Sequence, residues 1–233
     1  MATPESDFEV AAHIAHVEPL VGLDKKVQPT HTALLVIDMQ NDFVASDGLV
    51  GRSGRDVSAA QKLANRLPDF IAAARRAGVL VVFVRNVYST DHNFYLSDSW
   101  LEQAARKQSG GYTRFPVCAE GSWEGDYYGA VHPQPGDPVV TKHRYNAFHN
   151  TDLDTILRAN AIRTVVLTGV ATDVCVGTTA REAFMRDYYA VMVDDGTATF
   201  SPEDHAATLR NFDRYFGEVS TIAEISAIWR GRN

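Results

Sequence analysis

Three residues of this chain have types and placements that could do covalent chemistry, and each follows an aliphatic run. Asp38 ends Ala33-Leu34-Leu35-Val36-Ile37, and Lys142 follows Val139-Val140. Cys175 lies beyond the run Thr164 to Leu167, after the turn Thr168-Gly169-Val170-Ala171-Thr172-Asp173-Val174. A thiol, a carboxylate and an ammonium are the parts of a nucleophile activated by a base and oriented by a third group. Cys175 stands at the start of a helical pattern. A helix N-terminus offers unpaired N–H groups and the positive end of a dipole. Both favour the thiolate, which is the nucleophilic form. The same N–H groups can receive an oxyanion. Each residue also has a plainer reading. Cys175 can be an inert filler, Asp38 a turn residue and Lys142 a solvated surface lysine. The conjunction of all three at strand ends favours chemistry. A carboxylate at a buried strand end has its pKa raised by desolvation unless a cation offsets it, and Lys142 can be that cation.

The elements that must position these groups are legible as runs and periodicities. Unbroken apolar runs, without alternation, suit strands buried on both faces of a parallel sheet. Besides the run before Asp38 they occur at Val79–Val84, Val139-Val140, Thr164–Leu167 and Ala190–Val193, with a last strand around Val219. Helical spacing lies between them. Leu63, Leu67, Phe70, Ile71 and Ala74 mark a helix that Ala77-Gly78 ends. Leu153, Ile156 and Leu157 mark a short helix after a cap signal at Asn150-Thr151, and another spans Val174 to Met185. Ser201 as N-cap with Pro202 opens a further helix, and Ile222 to Trp229 closes the chain. Strand alternating with helix predicts an α/β fold, a three-layer αβα sandwich on a mostly parallel six-stranded sheet. In such sheets ligands bind beyond the carboxyl ends of the strands. Residues 1–30 read as a polar N-terminal extension and 31–233 as one domain. Residues 88–137, poor in strand signal, read as an insertion or cap over the site.

The formal net charge of -7 on 233 residues argues against nucleic acid and anionic membrane as partners and leaves a small-molecule substrate. No apolar stretch approaches the ~18 residues of a membrane span, and the N-terminus lacks the pattern of a signal peptide. Two cysteines, Cys118 and Cys175, do not make a disulfide scaffold, so a reduced cytoplasmic setting is expected. Cys118 reads as a small apolar filler. His13 and His16 lack a third ligand at metal spacing and read as a solvated face. His143 and His149 flank Tyr145 and could line a pocket. Trp100, Tyr112 and Trp123 could roof it or form a subunit contact.

The stretches LLVIDMQNDF (34–43), TKHRYNAFHNTDLDTILRANAIRTVVLTGVATDVCVGTTAREAF (141–184) and VMVDDGTATFSPEDH (191–205) resemble the isochorismatase-like cysteine hydrolases, over roughly residues 30 to 228. GSW (121–123), PQPGD (133–137) and KxRYxxFxNTxLDxILR (142–158) look most like the ureidoacrylate amidohydrolase branch. The resemblance implies a Rossmann-like topology and the roles of Asp38 as base, Lys142 as third catalytic member and Cys175 as nucleophile. It implies a cis peptide at Val170–Ala171, with the N–H groups of Ala171 and Cys175 as oxyanion hole. Asn86, Tyr145 and Val170 match substrate-contacting positions. The implied reaction is hydrolysis of a small ureido, carbamoyl or amide substrate through a thioester, releasing ammonia. The alternative is another acyl or amide metabolite on the same triad. A non-catalytic binding subunit is a third reading, against which the intact triad weighs. Asn86-Val-Tyr-Ser-Thr-Asp91-His92 lacks the ligand spacing of the metal-dependent nicotinamidases, so neither metal nor cofactor is expected. Isochorismatases proper lack the cysteine, so Cys175 argues against their reaction. The resemblance also implies a homodimer or homotetramer.

Overall fold

The computed structural model describes residues 14–106 and 111–231, with the backbone alone at 111 and 112. The elements in chain order are α1 (Leu23–Lys26), β1 (Thr32–Ile37), α2 (Asn41–Val44), α3 (Leu49–Arg52), α4 (Ser58–Ala77), β2 (Leu80–Asn86), α5 (Asp98–Arg106), α6 (Gly111–Arg114), β3 (Val139–Lys142) and α7 (Leu153–Ala159). They continue with β4 (Thr164–Val170), a π-helical turn (Thr172–Val176), α8 (Gly177–Met185), β5 (Tyr189–Ala198), α9 (Pro202–Tyr215), β6 (Glu218–Ser220) and α10 (Ile222–Trp229). The sheet order is β3-β2-β1-β4-β5-β6, and every pairing is parallel. The expected sheet is therefore present and is parallel throughout.

Alternation along each strand divides the apolar residues between two cores. In β1, Leu34 and Val36 join the core built from Leu63, Leu67, Phe70 and Ile71 of α4 and Ile225 and Trp229 of α10. Ala33, Leu35 and Ile37 join the opposite core, with Leu157 of α7, Ala180 and Ala183 of α8, and Phe212 of α9. Those are the two helical layers of the sandwich. Burying each large aliphatic side chain stabilises by roughly 1.5–3 kcal/mol. Gly78 ends α4 in the left-handed conformation, φ 81°, which a residue without Cβ adopts freely. Ser201 caps α9 by accepting from the Asp204 N–H, with Pro202 in the first turn, as its sequence predicts.

Some boundaries differ from the sequence reading. The N-cap position of α7 is Asp152, while Thr151 of the expected cap signal accepts from the Leu153 N–H at 3.3 Å. Residues 20–30 are not free of the domain. The Leu20 N–H donates to the Tyr189 hydroxyl at 2.8 Å, Lys26 pairs with Glu218 at 2.7 Å, and Trp229 donates to the fully buried Val27 carbonyl at 2.9 Å. Isolated apolar residues in a polar stretch hid this tie. His13 and residues 1–12 of the extension lie outside the described residues, as does the Tyr112 side chain. Residues 88–137 carry α5 and α6, and a return stretch pairs with the chain after β1. There the N–H groups of Asn41 and Asp42 donate to the carbonyls of Asp126 and Glu124. Among the described residues no helix is long and apolar enough to cross a membrane.

The strand order reverses between β1 and β4, which are neighbours in the sheet although the chain leaves β1 toward β2. A crevice opens outside the carboxyl ends of the strands at such a switch point. Asp38 directly follows β1, and Cys175 lies five residues after Val170, the last residue of β4.

Candidate active site

Asp38 leaves β1 with φ 55°, a left-handed conformation that Asp tolerates better than most residues. Its N–H donates to the Val84 carbonyl at 2.9 Å, and its own carbonyl accepts from Gln40 at 2.8 Å. That geometry turns the carboxylate toward the strand ends, where it is 1 % exposed. Oδ2 accepts from Lys142 Nζ at 2.8 Å and from Asn86 Nδ2 at 2.7 Å. Lys142, at the end of β3, is fully buried. Its ammonium also donates to Asn86 Oδ1 at 2.8 Å and to the Arg144 carbonyl at 3.1 Å, so all three of its protons have acceptors. Asn86, at the end of β2, bridges the acid and the cation. Its backbone is clamped in turn by Gln40, whose amide accepts from Asn86 N at 2.7 Å and donates to the Asn86 carbonyl at 2.9 Å. Gln40 also donates to the Gly125 carbonyl at 2.8 Å, which ties the return stretch to the site. Sequence reasoning gave Gln40 no role. Its place in the Asp38-Met39-Gln40 stretch, two residues after Asp38, is the signal that could have found it.

Asp38 Oδ1 is buried without a hydrogen-bond partner of ordinary geometry, and the Cys175 thiol lies within interaction range of this carboxylate and of Lys142. Cys175 sits in the π-helical turn between β4 and α8, which follows the cis Val170–Ala171 peptide. Burial pushes the Asp38 carboxyl above its ordinary value, and Lys142, Cys175 and Asn86 only partly pull it back. Burial alone would lower the Lys142 ammonium. The Asp38 carboxylate, with help from Cys175, overrides this and holds the ammonium above its ordinary value. Burial, then the charge of Asp38, pushes the Cys175 thiol well up, and Lys142 opposes this without reversing it. The helix start favours the thiolate, whereas burial and the Asp38 charge oppose it. Desolvation outweighs a dipole that offers only about half a charge. Burial thus favours the neutral form of the thiol beside the Asp38–Lys142 pair.

Above this group lies a cavity of about 350 Å³. Asp38, Asn86 and Cys175 form part of its wall, as do Tyr145, Val170 and Ala171. The structure thus brings Asp38, Asn86, Lys142, Tyr145, Val170, Ala171 and Cys175 to one place, although Asn86 spends both ends of its amide on Asp38 and Lys142. The wall also includes Phe43, Leu49, Val50 and Arg55 of the segment after β1, together with Gln103 and Phe200, none of which sequence reasoning named. Trp100 packs on Tyr145 with ring centroids 4.8 Å apart and backs the wall without lining it. His143 stacks on Tyr95 and bonds the Val87 carbonyl, and His149 is exposed, so neither lines the cavity. Trp123 is exposed and away from it. Cys118 is a buried filler beside Val117 and Tyr88. Among the described residues no group of three or more His, Cys, Asp and Glu side chains converges to hold a metal ion. A larger groove, about 800 Å³, lies around the starts of β5 and β6 at the opposite end of the sheet.

The isochorismatase-domain family matches residues 32–224 of this sequence. The chain belongs to the isochorismatase family. It is thereby one of the hydrolases. The ureidoacrylate amidohydrolase RutB of Variovorax paradoxus (strain S110) is 38% identical over 218 residues, 89% of this chain and 83% of that protein. Its counterpart from Enterobacter sp. (strain 638) is 36% identical over 206 residues, 84% of this chain and 88% of that protein. Among solved structures, a cysteine hydrolase from Pseudomonas syringae pv. phaseolicola 1448A superposes with TM-score 0.76 at 28% identity, covering 91% of this chain and 98% of that one. N-carbamoylsarcosine amidase from Thermoplasma acidophilum superposes with TM-score 0.64 at 30% identity, covering 82% and 96%.

Proposed function

We propose that this family member is a cysteine-dependent amidohydrolase cleaving a small ureido, carbamoyl or amide substrate of the ureidoacrylate kind. Cys175 is the nucleophile, Asp38 the base and Lys142 the group that keeps Asp38 charged. One observation carries the reading. Asp38 has one oxygen engaged by Lys142 and Asn86, while the other has no partner of ordinary geometry and the Cys175 thiol lies within interaction range of the carboxylate. A buried oxygen left unpaired is costly and is what a base needs in order to take a proton.

Asp38 Oδ1 accepts the Cys175 proton as sulfur attacks the substrate carbonyl carbon, so a free thiolate need not accumulate. The N–H groups of Ala171 and Cys175 receive the carbonyl oxygen as it becomes an oxyanion. Collapse breaks the C–N bond, and the leaving nitrogen takes the proton from Asp38 and departs as ammonia. Water then gives a proton to Asp38 while attacking the thioester carbon. The sulfur leaves and recovers its proton from Asp38. Tyr145 and Val170 shape the wall beside the acyl part, with Tyr88 and Gln103 from the segment 88–137. The homo-oligomer expected from the sequence belongs to the same proposal. The relatives' names, ureidoacrylate amidohydrolase and N-carbamoylsarcosine amidase, support a C–N bond as the target.

The test is ammonia release from a panel of small ureido and amide acids, comparing wild type with Cys175→Ala. Release by wild type that disappears in the variant supports the reading. Equal release by both proteins removes Cys175 from the mechanism. No release from any member of the panel sinks the substrate class.

A further inference from the structure

We propose that Arg55 is the specificity-determining residue that seats a carboxylate of the substrate in the cavity that receives the reacting carbonyl. The inference rests on the reading of the Cys175 cavity as the substrate site. Among the described residues that line the cavity, Arg55 alone carries a positive charge. The other ionisable groups of the lining wall are Asp38, Cys175 and the phenols of Tyr88 and Tyr145. The Asp38–Lys142 pair below the wall is internally compensated, and its ammonium has no proton left to donate. The cavity floor therefore presents no free cation.

Arg55 does. Arg55 is a solvent-exposed residue, so its guanidinium is open to a ligand entering the cavity. The other arginines around this face are engaged. Arg52 reaches Asp42 at 3.8 Å, and Arg144 donates to the Tyr95 carbonyl at 2.9 Å. Arg55 has neither an ion pair nor a side-chain hydrogen bond among the described residues. The acid beside it in sequence, Asp56, is turned away and caps the start of α4 through Ser58 N at 2.8 Å and Ser58 Oγ at 3.0 Å. The Arg55 guanidinium is held 5.9 Å from the ring centre of Phe200, another wall residue. Such a contact orients a guanidinium plane without consuming its donors. Five N–H donors in a fixed fork then remain for a planar anion, and carboxylate is the anion that the fork fits bidentately. Cys175 and Arg55 thus line one cavity. A substrate with a cleavable carbonyl at one end and a carboxylate at the other is held in the orientation that attack requires.

The experiment compares alkylation of Cys175 by iodoacetate and by iodoacetamide. These reagents share a mechanism and differ in one carboxylate. Rates are read by mass spectrometry of the Cys175 peptide in wild type, Arg55→Gln and Arg55→Lys, at one pH and low salt. The expected result is a fall of about tenfold in the iodoacetate-to-iodoacetamide ratio for Arg55→Gln. Arg55→Lys should fall between, since it keeps the charge and loses the fork. An unchanged ratio in Arg55→Gln overturns the proposal. The ratio cancels any general change in thiol reactivity and needs no turnover. Failure of the hydrolase reading therefore shows in the ammonia panel, and failure of the Arg55 assignment shows here.

Discussion

At the residue scale the decisive quantity is where a proton sits. A carboxylate that works as a base must be ionised, so kcat/KM falls as pH drops and Asp38 takes up its proton. Burial puts that event above the ordinary carboxylate value of 3.8. The acid limb of the pH–rate profile is accordingly expected above pH 3.8, and a flat profile down to that pH would contradict Asp38 as base. Asp38→Asn keeps the shape and the left-handed backbone preference but cannot accept the proton. A fall in kcat of at least ~10²-fold is expected, the typical share of general base catalysis. The Cys175 thiol provides the complementary check. Burial and the Asp38 charge hold it up, so carbamidomethylation of Cys175 should keep accelerating through pH 9 without levelling off. A plateau near pH 7 would mean a thiolate at rest and would restore the dipole argument that the structure displaces.

At the scale of elements, the strand ends had to meet, and close packing between β1 and β4 is what makes them meet. Gly169 has φ 106°, and a Cβ there would stand 2.0 Å from the Ile37 carbonyl oxygen, one residue before Asp38. Gly169→Ala therefore combines an unfavourable backbone conformation with a clash against backbone, and a loss of roughly 2–4 kcal/mol is expected from the two together. Urea unfolding measures it, and a loss below 1 kcal/mol would show that the strands separate easily. This dependence on neighbours explains what could be read from the sequence. The apolar runs before Asp38 and Cys175 revealed strands buried on both faces, where unbroken hydrophobicity is required, whereas the shorter run before Lys142 belongs to the edge strand β3, whose Val139 is exposed. The second half of β5 did not show itself. Asp194-Asp195-Gly196-Thr197 looks like a loop, yet the strand continues to Ala198 across a register shift opposite Leu167 and Gly169. Gly196 permits this where a Cβ would meet the Val193 side chain at 2.7 Å. Arg55, Phe200 and Gln103 were equally hidden, since they reach the cavity from segments far apart in sequence and from no strand end.

At the scale of the molecule, two apolar cores enclose an ion pair that is 0% and 1% exposed, and the fold must carry its desolvation. Removing one member leaves the other charge buried without compensation, which typically costs about 3–5 kcal/mol. Lys142→Met should lose about that much. It also strips a donor from Asn86 and from the Arg144 carbonyl. The double variant Asp38→Asn with Lys142→Met removes both charges and should recover at least about 2 kcal/mol relative to the sum of the single losses, a coupling normal for contacting residues. It remains inactive, since it has no base. The pH dependence separates this account from simple loss of packing. Once Asp38 is protonated there is no buried charge to strand, so the Lys142→Met deficit should shrink as pH falls through the raised Asp38 value. A packing defect would be the same at every pH. Unfolding curves of wild type and Lys142→Met at pH 7.5 and pH 5 decide the matter. A deficit that stays constant assigns the loss to volume, and one that narrows assigns it to the charge that the active site keeps buried for use.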